Sequence, residues 1–183
     1  MKITAREGIM YPIRRGIVPI GNFALCRTTS ENNLVDYLKL SRETEEKKCG
    51  GKELPEWYKI KESEDIRGDV CKTYAITRHI KIDKFWFLVD AKFKESILAE
   101  ITMSPVFYDL WERLRFGDID LEKYNEEAAC RIDKWVCENF GKQREIGAGR
   151  KSCDTAIRNY KTFVSSVDNN GEGKPMKIIL NFT

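Results

Sequence analysis

The segment Tyr74-Ala-Ile-Thr-Arg-His-Ile-Lys-Ile-Asp-Lys-Phe-Trp-Phe-Leu-Val-Asp-Ala-Lys-Phe93 decides how the rest of the chain is read. Tyr74, Ile76, Ile80 and Ile82 recur at even spacing, and so do Phe85, Phe87, Val89, Ala91 and Phe93. Strand side chains alternate between two faces, so each set lines one face of a strand. Asp83-Lys84 falls between the two arms and predicts a hairpin turn, although it is not the preferred Asn-Gly pair. Trp86 and Leu88 make the second face of the second arm apolar as well, which predicts a strand near the centre of a sheet and covered on both sides.

Working outward, "GIMYPIRRGIVPIGNFALC" (8–26) reads as short strands, with turns at Arg14-Arg15-Gly16 and Pro19-Ile20-Gly21. "TSENNLVDYLKLSRETEEKKCGG" (29–51) reads as a helix capped by Ser30, striped by Leu34, Val35, Tyr37 and Leu38, and stopped by Gly50-Gly51. From about residue 95 the pattern turns helical. "SPVFYDLWERLRF" (104–116) offers Ser as a cap and Pro at the first helical position. "DIDLEKYNEEAACRIDKWVCENFGK" (118–142) is acidic in its first turns and places Leu121, Tyr124, Ala128, Ile132, Trp135 and Val136 on one face. Cys130 and Cys137 share a side of that helix and are expected to pack. "SCDTAIRNYKTFVSSV" (152–167) reads as a further helix, "NNGEGKP" as a loop and "MKIILNF" as a closing strand. Strands, then helices, then a strand predict one α+β domain over 1–183: a mostly antiparallel sheet of N-terminal, central and C-terminal strands, packed by three to four helices.

With 183 residues, 42% hydrophobic and 33% charged, the chain can bury a real core and is not of the disordered class. No apolar run approaches the length of a membrane span, and the first residues lack a signal-peptide core, so a cytoplasmic protein with no membrane partner is expected. Six cysteines without a C-x-x-C pair, beside one histidine, His79, favour reduced thiols over a zinc module. His79 has no recognisable triad partner. Trp111 and Trp135 have helical spacing and are assigned to the core, and Trp57 and Tyr58 are expected to seat a loop. The composition does not indicate oligomeric state.

The net charge is only +3, so position matters more than total. Six cationic residues, Lys142, Arg144, Arg150, Lys151, Arg158 and Lys161, stand against two acidic ones between 142 and 161. That tract, containing "GKQREIGAGRKSCDT" (141–155), reads as a Gly-rich connection running into a helix N-terminus, where free N–H groups and arginines suit a nucleic-acid backbone. A solvated helix connection would have the same composition. A nucleotide-binding G-x-x-x-x-G-K-[ST] loop is excluded, because alignment on Lys151-Ser152 puts Glu145 and Arg150 at the glycine positions.

Asp69, Asp90 and Lys92 raise a second possibility. Asp90 and Lys92 share a strand face, and Asp69 precedes the hairpin, with Gly68 where a Pro is usual. This is similar to the active-site pattern of the PD-(D/E)xK nuclease superfamily. The resemblance implies that Asp69 and Asp90 hold Mg²⁺ and that Lys92 assists the attacking water, with Glu46, Glu53 or Glu56 as an upstream acid. The usage of Lys, Glu, Ile and Asn is that of a low-GC bacterium or its phage. In size and general character the whole chain resembles the small anti-defence proteins of phages and mobile elements, particularly anti-CRISPR inhibitors of type II effector nucleases. That resemblance implies a non-enzymatic inhibitor with no cofactor, whose partner is a nucleoprotein complex such as a CRISPR effector nuclease, engaged through the protein, its guide RNA or its DNA-binding groove. Asp118, Asp120, Glu122, Glu126 and Glu127 form an acidic cluster that could mimic DNA, although acids in a first helical turn are also favoured by the helix dipole.

Overall fold

The computed structural model describes residue 13 and residues 16–64, 68–140, 143–147, 150–153, 161–165 and 177–182. Ten strands form two antiparallel sheets, with three helices among the described residues, so the chain is α+β. β1 (Val18–Ile20) and β2 (Phe23–Leu25) make a hairpin of their own. They do not join the main sheet, which corrects the expectation that the N-terminal strands would. Gly21 turns this hairpin with φ +62, and a Cβ there would sit 2.6 Å from the Tyr37 hydroxyl. That hydroxyl donates to the Ile20 carbonyl at 2.7 Å.

The main sheet contains β3 (Tyr58–Glu64), β4 (Val70–Ile82), β5 (Phe85–Lys94), β6 (Ile97–Val106), β7 (Gln143–Gly147), β8 (Arg150–Cys153), β9 (Lys161–Ser165) and β10 (Lys177–Asn181). Their spatial order is β3-β4-β5-β6-β10-β9-β8-β7. The chain runs inward from the edge strand β3 through β4 and β5 to β6, crosses through the helices to the far edge, returns inward through β7, β8 and β9, and closes with β10 in the gap beside β6. Ile178 and Leu180 of β10 are fully buried, which explains an apolar alternation in so short a closing strand.

The hairpin forms as expected, with Ile82 paired to Phe85 across Asp83-Lys84. Asp83 has φ +54, a conformation that non-glycine residues rarely adopt. Its carboxylate accepts from the Trp135 indole N–H at 3.2 Å, which ties the turn to a helix. Three residues of β4, Thr77 to His79, stand against Leu88 alone between the pairs Ile76–Val89 and Ile80–Phe87. The inserted pair preserves the inward alternation while bending the strand.

α1 (Glu31–Lys48) starts at Ser30, whose side chain accepts from the Asn33 N–H, and stops at Gly50 and Gly51, both with positive φ. Leu34 and Leu38 enter the core. Glu31 anchors the helix: it accepts from the Tyr74 hydroxyl at 2.5 Å, from Lys72 at 3.3 Å and from the Ser96 hydroxyl at 3.2 Å. α2 (Tyr108–Arg115) and α3 (Leu121–Phe140) follow the central strands. Asp120 caps α3 by accepting from the Lys123 N–H at 2.8 Å, and Glu127 bridges to Arg113 at 2.7 Å, so local roles account for two members of the acidic cluster. Ile132, Trp135 and Val136 of α3 share one core with Leu34, Leu38, Phe87, Val89 and Phe93. Both long helices therefore pack on the same face of the sheet.

Several expectations are overturned. β6 occupies residues 97–106, where a helical pattern was expected, and Ser104-Pro105 belongs to the strand. Pro105 is tolerated because it lies beyond the residues of β6 that pair with β10. The tract 152–167 contributes residues to β8 and β9 where a helix was expected, and the rest of it lies outside the described residues, as do Arg14, Arg15 and "NNGEGKP". Cys130 and Cys137 are exposed on α3 instead of packing. Leu121 is 56% exposed and Trp111 53%, so neither belongs to the core. Trp86 and Leu88 are 37% and 39% exposed: β5 is interior in strand order, yet among the described residues no helix covers its second face.

Candidate nucleic-acid interface

The uncovered face of the sheet follows from the register. On β5 it carries Trp86, Leu88, Asp90, Lys92 and Lys94, the positions alternating with the buried Phe87, Val89, Ala91 and Phe93. Across β4 the same rows meet Ala75, Thr73 and Cys71, and on β3 they meet Lys59, Lys61 and Ser63; Cys71 is buried, so the face is closed at that end. On the other side Thr102 and Glu100 of β6 lead to Ile179 and Asn181 of β10, with Lys177 one step further along β10. The face thus holds Lys59, Lys61, Lys92, Lys94 and Lys177 against Asp69, Asp90 and Glu100. Asp69 is neutralised locally by its ion pair with Lys94.

Asp90 sits in the middle of this cationic field. Partial burial raises its carboxyl above the usual 3.8, while Lys177 and Lys61 pull it the other way. Those two lysines belong to strands on opposite sides of β5, Lys61 on β3 and Lys177 on β10.

The six expected phosphate-binding residues are distributed differently from the sequence reading. Arg144 lies in β7, Arg150 and Lys151 in β8 and Lys161 in β9, while Lys142 and Arg158 lie outside the described residues. Residue 152 is inside β8, so no helix begins at Ser152, while Asp154 lies outside the described residues. A helix dipole beginning at Ser152 is therefore not available to an anion. Pairing of β8 and β9 with β10 nevertheless puts the tract in the same sheet. Arg150 pairs with Ser165, and Ser165 with Lys177.

The presumed nuclease centre does not assemble. Asp90 pairs with Ala75, and Asp69 lies six residues from Ala75, just before β4 begins at Val70. At the usual rise of a strand this separates them by roughly 20 Å, too far for one ion to touch both. Asp90 and Lys92 do share a face, as expected. Among the described residues no group of three or more His, Cys, Asp or Glu could hold a metal ion. Glu46 accepts instead from Arg42 at 2.9 Å and from the Leu54 N–H at 3.0 Å, which holds the loop after α1.

At one end of the open face lies an aromatic group. Tyr108 hydrogen-bonds the His79 ring, and Trp86 meets Tyr108 edge-on at 6.3 Å. The Lys81 ammonium stands 5.8 Å from the Trp86 ring centre. On the other side of β4 a cleft of about 580 Å³ opens between α1, the β1–β2 turn and Trp57. Arg78 lies 4.2 Å over the Trp57 ring there and 2.6 Å from Glu45, so both partners of that ion pair are already engaged.

Lys59, Lys61, Lys94 and Lys177 are lysines of this surface that sequence reading missed, and Trp86 was read there only as an apolar strand residue. An alternating Lys-x-Lys at 59–61 was the available signal, but only pairing shows that it shares a face with Lys92 and Lys177. Comparisons with protein-family models, with curated proteins and with solved structures find no match. Among the described residues no helix is long and apolar enough to cross a membrane.

Proposed function

We propose that the protein is a non-enzymatic binding protein that acts on a nucleic-acid-handling complex, such as a CRISPR effector nuclease, by engaging the nucleic acid of that complex with the open face of its sheet. The observation that carries this reading is the lysine row across β3, β5 and β10, on a face that no described helix covers. Phosphate contacts of this kind supply most sequence-independent affinity, because each neutralised phosphate releases a counterion. The cationic tract around Arg150 and Lys161 extends the same sheet toward its far edge. The wide separation of Asp69 and Asp90 leaves the Mg²⁺-dependent nuclease alternative without a shared ion site at the residues first considered for it.

The direct test reverses the row. Lys61→Glu with Lys92→Glu changes two side chains on the open face and no core residue. Binding of labelled RNA and DNA should weaken by about a hundredfold, with the thermal melt little changed. Full retention of affinity by a folded double variant would remove the lysine row from the interface.

A further inference from the structure

The open face is not uniform: Trp86 and Tyr108 stand at one end and lysines along the rest. Resting on the nucleic-acid reading above, we infer that the face takes single-stranded nucleic acid, with unpaired bases stacked on Trp86 and Tyr108 and the backbone running along the lysines.

Trp86 and Tyr108 are 37% and 46% exposed, so substantial ring surface meets solvent. They are also held in place. The His79 hydrogen bond fixes the Tyr108 ring, and the edge-on contact fixes Trp86 against it. Such immobilised rings lose little freedom when a base stacks on them. Leu88 continues the apolar surface one step along β5. Further along the same strand the character changes to Asp90, Lys92 and Lys94. Lys81 stands over the Trp86 ring, 5.8 Å from its centre, on a long side chain that a stacking base would displace toward its own phosphate. The nearby acid Asp109 is turned away into an ion pair with Arg131 at 2.6 Å.

Duplexes offer phosphates but hide their base faces. Aromatic rings beside a cationic track suit a strand whose bases are free to stack, and stacking tolerates every base because each has a π-face. RNA and DNA single strands present the same two features. The inference concerns that shared chemistry.

The experiment uses the full chain with labelled oligouridine, oligothymidine and a DNA duplex, read by anisotropy and by tryptophan fluorescence. Single strands should bind more tightly than the duplex and quench the tryptophan signal. Trp86→Ala should weaken single-strand binding about tenfold or more while leaving the duplex unaffected, and Trp86→Phe should retain most of the affinity. A stronger response of oligouridine than of oligothymidine, or the reverse, would still support stacking, and oligodeoxyuridine would then separate the sugar from the thymine methyl group. Single-strand affinity unchanged in a folded Trp86→Ala variant, or tighter binding of the duplex, would overturn the inference. If Lys61→Glu with Lys92→Glu then still abolished binding, the phosphate-binding reading would stand alone. Failure of all three probes to bind would remove both.

Discussion

Trp135→Ala should cost about 3–5 kcal/mol of folding free energy, a large share of what a domain of this size possesses. The ring is fully buried and lies 5.2 Å from Phe87, 6.3 Å from Phe85 and 6.1 Å from Phe140. Its removal leaves a cavity between α3 and the central hairpin and deprives the Asp83 carboxylate of its indole donor. That donor helps to hold a non-glycine turn residue at φ +54, so the hairpin should loosen along with the core. Trp135→Phe should recover much of the loss, because it refills most of the cavity without restoring the hydrogen bond. Urea unfolding of the two variants measures both effects. A loss below about 1 kcal/mol for the alanine variant would mean that α3 does not pack on the hairpin as described.

Glu31→Ala is expected to cost about 2–3 kcal/mol, since one carboxylate joins α1 to β4 and to the β5–β6 turn. Tyr74 is buried, and its hydroxyl would be left without its acceptor. The pH dependence gives a second readout. Hydrogen bonding from Tyr74, opposed by burial and aided by Lys72 and Ser96, holds the Glu31 carboxyl below its usual 4.5. A depressed folded value means that the stabilisation is present above pH 4.5 and is lost as pH falls through the folded value. The stability gap between the native protein and Glu31→Gln should therefore be widest near neutrality and close in acid. Burial and the neighbouring Glu31 raise the Tyr74 hydroxyl, so its own contribution should decline only in strong alkali. A gap that stays constant between neutral pH and pH 3 would show that Glu31 titrates as an exposed carboxylate.

Where the chain obeys a single period, its fold is legible in its sequence. β5 shows five inward residues in strict alternation, and α1 has both a serine cap and a double-glycine stop. β6 was missed for a physical reason. A register shift between Lys92 and Phe93 places Leu98 and Ile101 three apart, and a three-residue apolar interval imitates a helix. The Ser-Pro pair then supplies a false helix start. β7, β8 and β9 are only four or five residues long and rich in charged and hydroxyl side chains; their strand character comes from pairing into a sheet anchored by β10. The exposure of Trp86 and Leu88 has a similar origin, because two apolar faces on a strand do not reveal whether anything covers the second.

The candidate interface was legible only where charge is dense along the chain. Lys142 to Lys161 stands out as a linear cluster, whereas Lys59, Lys61, Lys92 and Lys177 are scattered in sequence and meet only through register. Conversely, Asp69 and Asp90 look adjacent on a hairpin diagram, yet they fall at different heights because β4 extends well beyond the pairs that hold Asp90. Alternation identifies a face; it does not fix a position along the neighbouring strand.

Recognition through phosphate contacts by the open face predicts a marked salt dependence, read from the affinity of the intact protein for a labelled single-stranded oligonucleotide across a salt titration. If four lysines each neutralise a phosphate, log K should fall linearly with log salt, with a slope of about −3. An affinity that does not change with salt would contradict the account and leave the open face as a surface for something other than nucleic acid.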